Sequence, residues 1–215
     1  MIKSVIFDMD GVLIDAKEWH YEALNRALSL FGFEISRYDH LTAYDGLPTK
    51  KKLEMLTLEK SLPRELHPFI NRMKQSYTME LVHSKCKPRF AQEYALSTLK
   101  SRGYKLAVAS NSIRDTVQVM MEKSRLDIYL DAMLSTADVS HPKPNPEIYL
   151  KAIERVNLAP SECLVVEDNS NGIKAAIESG AHVLVVKRVE DVNLENITTR
   201  IQEIDLYQGL ERCSA

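Results

Sequence analysis

The chain has 215 residues, 45% hydrophobic and 27% charged, enough for one core plus a smaller appended unit in a globular protein. Its formal net charge of −2 offers no general attraction to nucleic acid or to an anionic membrane, and no apolar run reaches the roughly 18 residues that a membrane helix needs. Cys86, Cys163 and Cys213 show no paired spacing, which argues for a reducing compartment and against a disulfide framework or a zinc site. The expectation is a cytoplasmic monomer with no nucleic-acid or membrane partner.

Ile2 to Phe7 is apolar and β-prone and breaks at Asp8-Met9-Asp10-Gly11. The acids that end this stretch, and the lack of a small-residue cleavage site, make it a buried strand rather than a signal peptide. From Lys17 to Phe31, Trp19, Ala23, Leu24, Ala27, Leu28 and Phe31 recur at helical spacing, with Gly32 as the stop. Helical patterns follow from Pro48 to about Lys60 and from Pro63 to about Val82, each opened by a proline. No strand is expected between residues 15 and 85.

After Pro88 the pattern alternates. A helix from about Arg89 to Arg102 leads to a strand at Tyr104–Ala109, and a helix at 113–123 to a weak strand at 132–135. A helix opened by Asn145-Pro146 runs to about Val156, then a strand at Cys163–Val166 ends in Glu167-Asp168. A helix at Asn171–Ser179 and a strand at Ala181–Val186 complete the series. Alternating strands and helices make a parallel sheet with helices on both faces. No element is assigned beyond Val186, and the residues after about Asp205 are expected to fray.

Ligands bind beyond the carboxyl ends of parallel strands. Asp8 and Asp10 lie past the first strand, Ser110 and Asn111 past the second, and Glu167 and Asp168 past a later one; Lys143 lies in the loop after the weak strand. Carboxylates brought to one sheet edge repel unless a hard cation sits among them, and an oxygen-only donor set suits magnesium. A cation, a lysine and a serine hydroxyl beside a carboxylate suit a phosphoryl group, whose transfer needs positioning and charge neutralisation. A carboxylate can itself attack phosphorus and form an aspartyl phosphate.

Four segments carry a resemblance. Phe7-Asp8-Met9-Asp10-Gly11-Val12-Leu13, Val108-Ala109-Ser110-Asn111, Lys143-Pro144-Asn145-Pro146-Glu147-Ile148-Tyr149 and the run from Val165 to Ala176 resemble, in order, the four motifs of the haloacid dehalogenase superfamily. Within it the chain resembles the β-phosphoglucomutases and their phosphatase relatives. The resemblance implies an α/β fold: a Rossmann-like parallel-sheet core (residues 1–14 and 86–215) interrupted by an all-helical cap (residues 15–85). It implies a Mg2+-dependent phosphatase acting on a small phosphorylated metabolite, with Asp8 as nucleophile and Asp10 as general acid and base. It further implies that Met9 and Asp10 backbone N–H groups, with Ser110 and Asn111, cradle phosphate. The resemblance gives Lys143 the role of neutralising charge on Asp8 and on the transferring group. It also implies that Asp8, Asp10 (through its carbonyl), Glu167 and Asp168 hold the metal and that the Lys143–Pro144 peptide is cis. His20 matches a substrate-proximal histidine of related mutases, and Lys50 and Lys74 are candidate substrate contacts in the cap.

Blander readings stand beside these. Ser110-Asn111 also suits a helix cap, Glu167-Asp168 a solvated helix entry, and Gly172 helix packing. Where the subgroup often carries a phosphate-gripping arginine this chain has Thr49, and Ala16 replaces a frequent hydroxyl residue, so a phosphatase is favoured over a phosphomutase. A non-catalytic sugar-phosphate-binding protein is a further alternative. A phosphoacceptor receiver ranks lowest, because receivers are shorter and lack the helical insertion.

Overall fold

The computed structural model describes the backbone of residues 1–213 and the side chains of residues 1–210. The chain divides into two compact units, one formed by Met1–Asp15 with Lys87–Ala215 and the other by Ala16–Cys86.

The larger unit is built on five parallel strands, β1 (Ser4–Phe7), β2 (Lys105–Ala109), β3 (Ala132–Leu134), β4 (Cys163–Glu167) and β5 (His182–Val185), in the order β3-β2-β1-β4-β5. β1 is central and fully buried, as its apolar run Val5-Ile6-Phe7 requires; it pairs Phe7 with Val108 on one side and with Val166 on the other. The helices are α5 (Phe90–Ser101), α6 (Arg114–Ser124), α7 (Glu147–Val156), α8 (Ser170–Glu178) and α9 (Leu194–Cys213). Right-handed crossovers put α5 and α6, which lead β1 to β2 to β3, on one face. They put α7 and α8, which lead back toward β4 and β5, on the other. Ile6, Ala107, Ala109 and Val165 accordingly pack with Ile148, Tyr149, Ala152, Ala175 and Ala176 in one cluster.

The smaller unit contains α1 (Lys17–Ser29), a single turn α2 (Arg37–Asp39) running into a π-helical turn (His40–Tyr44), α3 (Thr49–Lys60) and α4 (His67–Lys85). Its own core joins Leu24, Ala27 and Leu28 to Ile35, Tyr44, Leu53, Leu56, Leu62 and Ile70. The Asn25 amide clamps the chain after α1, donating to Ile35 O at 2.9 Å and accepting from Ile35 N at 2.8 Å.

One expectation changes. The stretch after Val186, to which the sequence pattern assigns no element, is helical past Asp205 as far as Cys213, and Ser214 and Ala215 lie outside the described residues. This helix is α9, whose Ile197, Ile201 and Ile204 are buried and whose Asp205 accepts the Ile2 N–H at 2.7 Å. Among the described residues no helix is long and apolar enough to cross a membrane.

Candidate active site

The strand order reverses between β1 and β4, and the chemistry-bearing side chains lie at the carboxyl ends of these two strands and of β2. Asp8 follows β1 directly; its N–H donates to Val166 O at 3.0 Å, which ties it to the end of β4. The next residues curl around Met9, whose carbonyl accepts from the N–H groups of Val12, Leu13 and Ile14. Gly11 takes φ +94° inside this turn, a conformation that suits glycine.

Four buried groups form one network. The Lys143 ammonium donates to Asp8 Oδ1 at 2.6 Å, to Glu167 Oε1 at 2.7 Å and to the Tyr149 hydroxyl at 2.7 Å. The Tyr149 hydroxyl donates in turn to Glu167 Oε1 at 2.6 Å. Asp8, Lys143, Tyr149 and Glu167 are 5%, 3%, 0% and 0% exposed, so water does not screen these contacts. Glu167 Oε2 accepts from the Asp168 N–H at 2.9 Å and from the backbone and side-chain nitrogens of Asn169.

The electrostatics follow from burial. Desolvation pushes the Asp8 carboxyl well above the usual carboxylate range; Lys143 opposes this, while Glu167, Asp168 and Asp10 add to it. Burial works against the Lys143 ammonium, but Asp8 and Glu167 outweigh it and hold the group charged. Burial, then Glu167 and Asp8, raise the Tyr149 phenol, which keeps its proton and so can donate. Asp8, Glu167 and Asp168 each bring a carboxylate oxygen within 4.8 Å of the others. One ammonium faces more acid than it can neutralise, and the all-oxygen donor set fits a hard divalent cation such as magnesium.

The β2 end supplies the hydroxyls. Ser110 is buried; its Oγ accepts the Ser112 N–H at 3.0 Å and lies 3.5 Å from Asp10 Oδ2. The Ser112 hydroxyl donates to the same Asp10 oxygen at 2.9 Å. The Asn111 side chain takes the Lys143 backbone at both ends, accepting its N–H at 3.0 Å and donating to its carbonyl at 3.3 Å. The Asn111 amide thereby orients the lysine's backbone, a role additional to the phosphate contact that the resemblance implies. Neither Ser110 nor Asn111 caps α6, whose first turn follows Ile113 without a side-chain cap. The cap of α8 is Asn169, which accepts the Gly172 N–H, so Glu167 and Asp168 are not a solvated helix entry. The Lys143–Pro144 peptide is cis.

Asp8, Asp10, Ser110, Lys143, Glu167 and Asp168 thus come together at one sheet edge, with Met9 buried in the turn between the two aspartates. In the helical unit, Lys74 is buried with its ammonium 3.2 Å from His20 Nδ1, whereas Lys50 is exposed on the first turn of α3. Tyr149 and Ser112 were given no role by the sequence. Tyr149 sits in the apolar stripe Ile148, Tyr149, Ala152, Ile153, Val156 of α7, where its ring reads as core.

Residues 5–186 match the haloacid dehalogenase-like hydrolases. A "phosphorylated carbohydrates phosphatase" of Thermotoga maritima is 31% identical over 182 residues, 83% of this chain and 82% of that protein. A phosphoglycolate phosphatase of Aquifex aeolicus is 29% identical over 179 residues, with 83% and 82% covered. The solved β-phosphoglucomutase of Clostridium difficile superposes with a TM-score of 0.82 over 96% of this chain and 100% of that one, at 23% identity, a likeness of fold. The chain belongs to the haloacid dehalogenase-like hydrolase family. Within that family it is an enzyme of the phosphatase class.

Proposed function

We propose that this chain hydrolyses a small phosphorylated metabolite, a sugar phosphate, in a magnesium-dependent reaction that passes through phosphorylated Asp8. The observation that carries the reading is the buried Asp8 carboxylate, held at 2.6 Å by Lys143 and grouped with Glu167 and Asp168. An Asp8 oxygen attacks phosphorus and the bond from phosphorus to the alcohol oxygen breaks. Asp10 gives its proton to that oxygen. Asp10, now a carboxylate, takes a proton from water. The water oxygen attacks phosphorus, the Asp8–phosphorus bond breaks and inorganic phosphate leaves. Lys143, Ser110 and the backbone N–H groups of Met9 and Asp10 stabilise the charge on the transferring group.

Asp8, the Asp10 carbonyl and Asp168 would hold magnesium, with Glu167 beside them; the bound ion would neutralise phosphate charge. In this reading the larger unit is the catalytic core and the helical unit selects the substrate, with His20, Lys50 and Lys74 as its contact residues. The chain works as a monomer in the cytoplasm; the unpaired spacing of the three cysteines in the sequence supports a reducing compartment, and the side chain of Cys213 lies outside the described residues.

A phosphate-release screen over phosphosugars, nucleotides and small phosphorylated acids, with and without Mg2+, tests the reading. Release should be strongest from a sugar phosphate and should need the ion. Supplying β-glucose 1-phosphate with a bisphosphate primer separates hydrolase from mutase. Glucose 6-phosphate appearing faster than free phosphate would overturn the assignment.

A further inference from the structure

We propose that Tyr149 is a positioning residue for phosphoryl transfer, its hydroxyl fixing the Lys143 ammonium against Asp8 by bridging Lys143 and Glu167. The proposal rests on the reading of Asp8 as the attacking group. A lysine side chain is long and flexible, so a lysine that must meet one carboxylate needs both ends held. The backbone end is held by Asn111, which takes the Lys143 N–H and carbonyl. The loop that carries it is held by Glu147, which accepts the N–H groups of Ser140 and His141 at 2.9 Å each. The ammonium end is held by three acceptors, Asp8 Oδ1, Glu167 Oε1 and the Tyr149 hydroxyl, one for each of its protons.

Two of those three acceptors are themselves joined, because the Tyr149 hydroxyl donates to the Glu167 oxygen that Lys143 also uses. Lys143, Tyr149 and Glu167 therefore close a triangle of hydrogen bonds at 2.6–2.7 Å, and its one remaining ammonium proton points to Asp8. The ring adds a second contact, with Lys143 Nζ 4.5 Å from its centroid. Tyr149 stands in the first turn of α7, six residues after Lys143 and packed into the sheet-face cluster, so its hydroxyl is presented from a rigid element. A tyrosine serving only as core would need a partner for its hydroxyl, but not these partners. Its two partners here are the cation at the nucleophile and that cation's second counter-ion. Without the hydroxyl the buried ammonium is one acceptor short and must turn to satisfy that proton, which moves it relative to Asp8.

The test is Tyr149→Phe, which keeps the ring and removes only the hydroxyl, assayed in the full chain with p-nitrophenyl phosphate and Mg2+. The expected result is a fall in kcat of about 10- to 100-fold, the usual cost of losing an outer-shell partner, with KM unchanged. An unchanged kcat overturns the proposal. So does a rise in KM alone, or a lowered melting temperature with normal kcat for the folded enzyme. The same change made in a Lys143→Ala background should cost nothing further, since the hydroxyl acts through the lysine; an equal loss in both backgrounds overturns it. Asp8→Asn is run alongside. If Asp8→Asn keeps wild-type turnover, the reading of the nucleophile fails and takes the proposal with it. If Asp8→Asn is inactive and Tyr149→Phe keeps wild-type kcat, the positioning role alone fails.

Discussion

A Cβ placed on Gly172 would lie 1.7 Å from Glu167 Oε1 and 2.1 Å from its carboxyl carbon. The glycine is in α8 with no positive φ, so its backbone does not demand glycine; the space for Glu167 does. Oε1 is the oxygen that receives both Lys143 and Tyr149. Gly172→Ala should push this carboxylate off its partners and lower kcat by about 10- to 100-fold, as outer-shell changes do. Overpacking of this kind costs about 1–3 kcal/mol. Steady-state kinetics with a urea titration would check both, and near-normal kcat would mean that Glu167 can move without consequence.

The buried pair of Asp8 and Lys143 sets the second expectation. Asp8→Asn preserves shape but removes the attacking oxygen anion and leaves the lysine one counter-charge fewer. Turnover of p-nitrophenyl phosphate should fall by about 10³-fold or more, as for other groups on which covalent catalysis depends. The far-ultraviolet circular dichroism should stay that of the wild type. Activity within tenfold of wild type would remove Asp8 from the role of nucleophile.

The crowding of Asp8, Glu167 and Asp168 leads to a metal prediction. Chelation should abolish hydrolysis and added Mg2+ should restore it. Ca2+ should bind and inhibit, because it takes more oxygen ligands in looser geometry and can draw both oxygens of Asp8 away from phosphorus. Full activity in excess chelator would refute the assignment of the site to a cation-assisted reaction.

Much of this site is legible in the sequence. Each acid or hydroxyl follows a buried apolar strand, so strand ends and a parallel topology were enough to bring Asp8, Ser110 and Glu167 to one edge. Short continuous apolar runs and period-3.6 spacing mark the elements that carry them. What hydropathy patterns do not contain is which atom each polar group takes. Asn111 reads as a phosphate ligand beside a serine, and nothing in the pattern shows that its amide also takes the Lys143 backbone. Tyr149 is hidden because a buried aromatic on the apolar stripe of α7 reads the same whether or not its hydroxyl has work to do. Gly172 reads as packing, and only the position of Glu167 shows what it makes room for. α9 is a different case: Leu194, Ile197, Ile201 and Ile204 carry the 3-4-3 spacing of a buried helix face, and Asn193 accepts the Asn196 N–H at its start. That signal was present in the chain, although the run Asn196-Ile197-Thr198-Thr199, with two β-branched threonines, weakens local helix propensity.

The last prediction concerns acid. Glu147 opens α7 and accepts the backbone N–H groups of Ser140 and His141, and its Oε1 lies 3.0 Å from Lys151 Nζ. These contacts, the Ser140 N–H first, lower its carboxyl from 4.5 to about 2. A carboxyl whose pKa is depressed by folding stabilises the fold above its unfolded value, and that contribution fades as pH falls through its folded value. The stabilisation is therefore complete above 4.5 and is lost progressively toward about 2. Glu147→Gln imitates the protonated acid at every pH. The variant should unfold at lower urea than wild type at neutral pH, and the gap between the two midpoints should narrow once pH drops below 4.5. Because the same carboxylate pins the loop from Ser140 to Lys143, the variant should also lose part of its kcat at neutral pH, where its stability deficit is largest. Urea midpoints for both proteins, followed downward from neutral pH, check the sign. A gap that stays constant through this range would mean that the Glu147 contacts contribute through shape and not through charge.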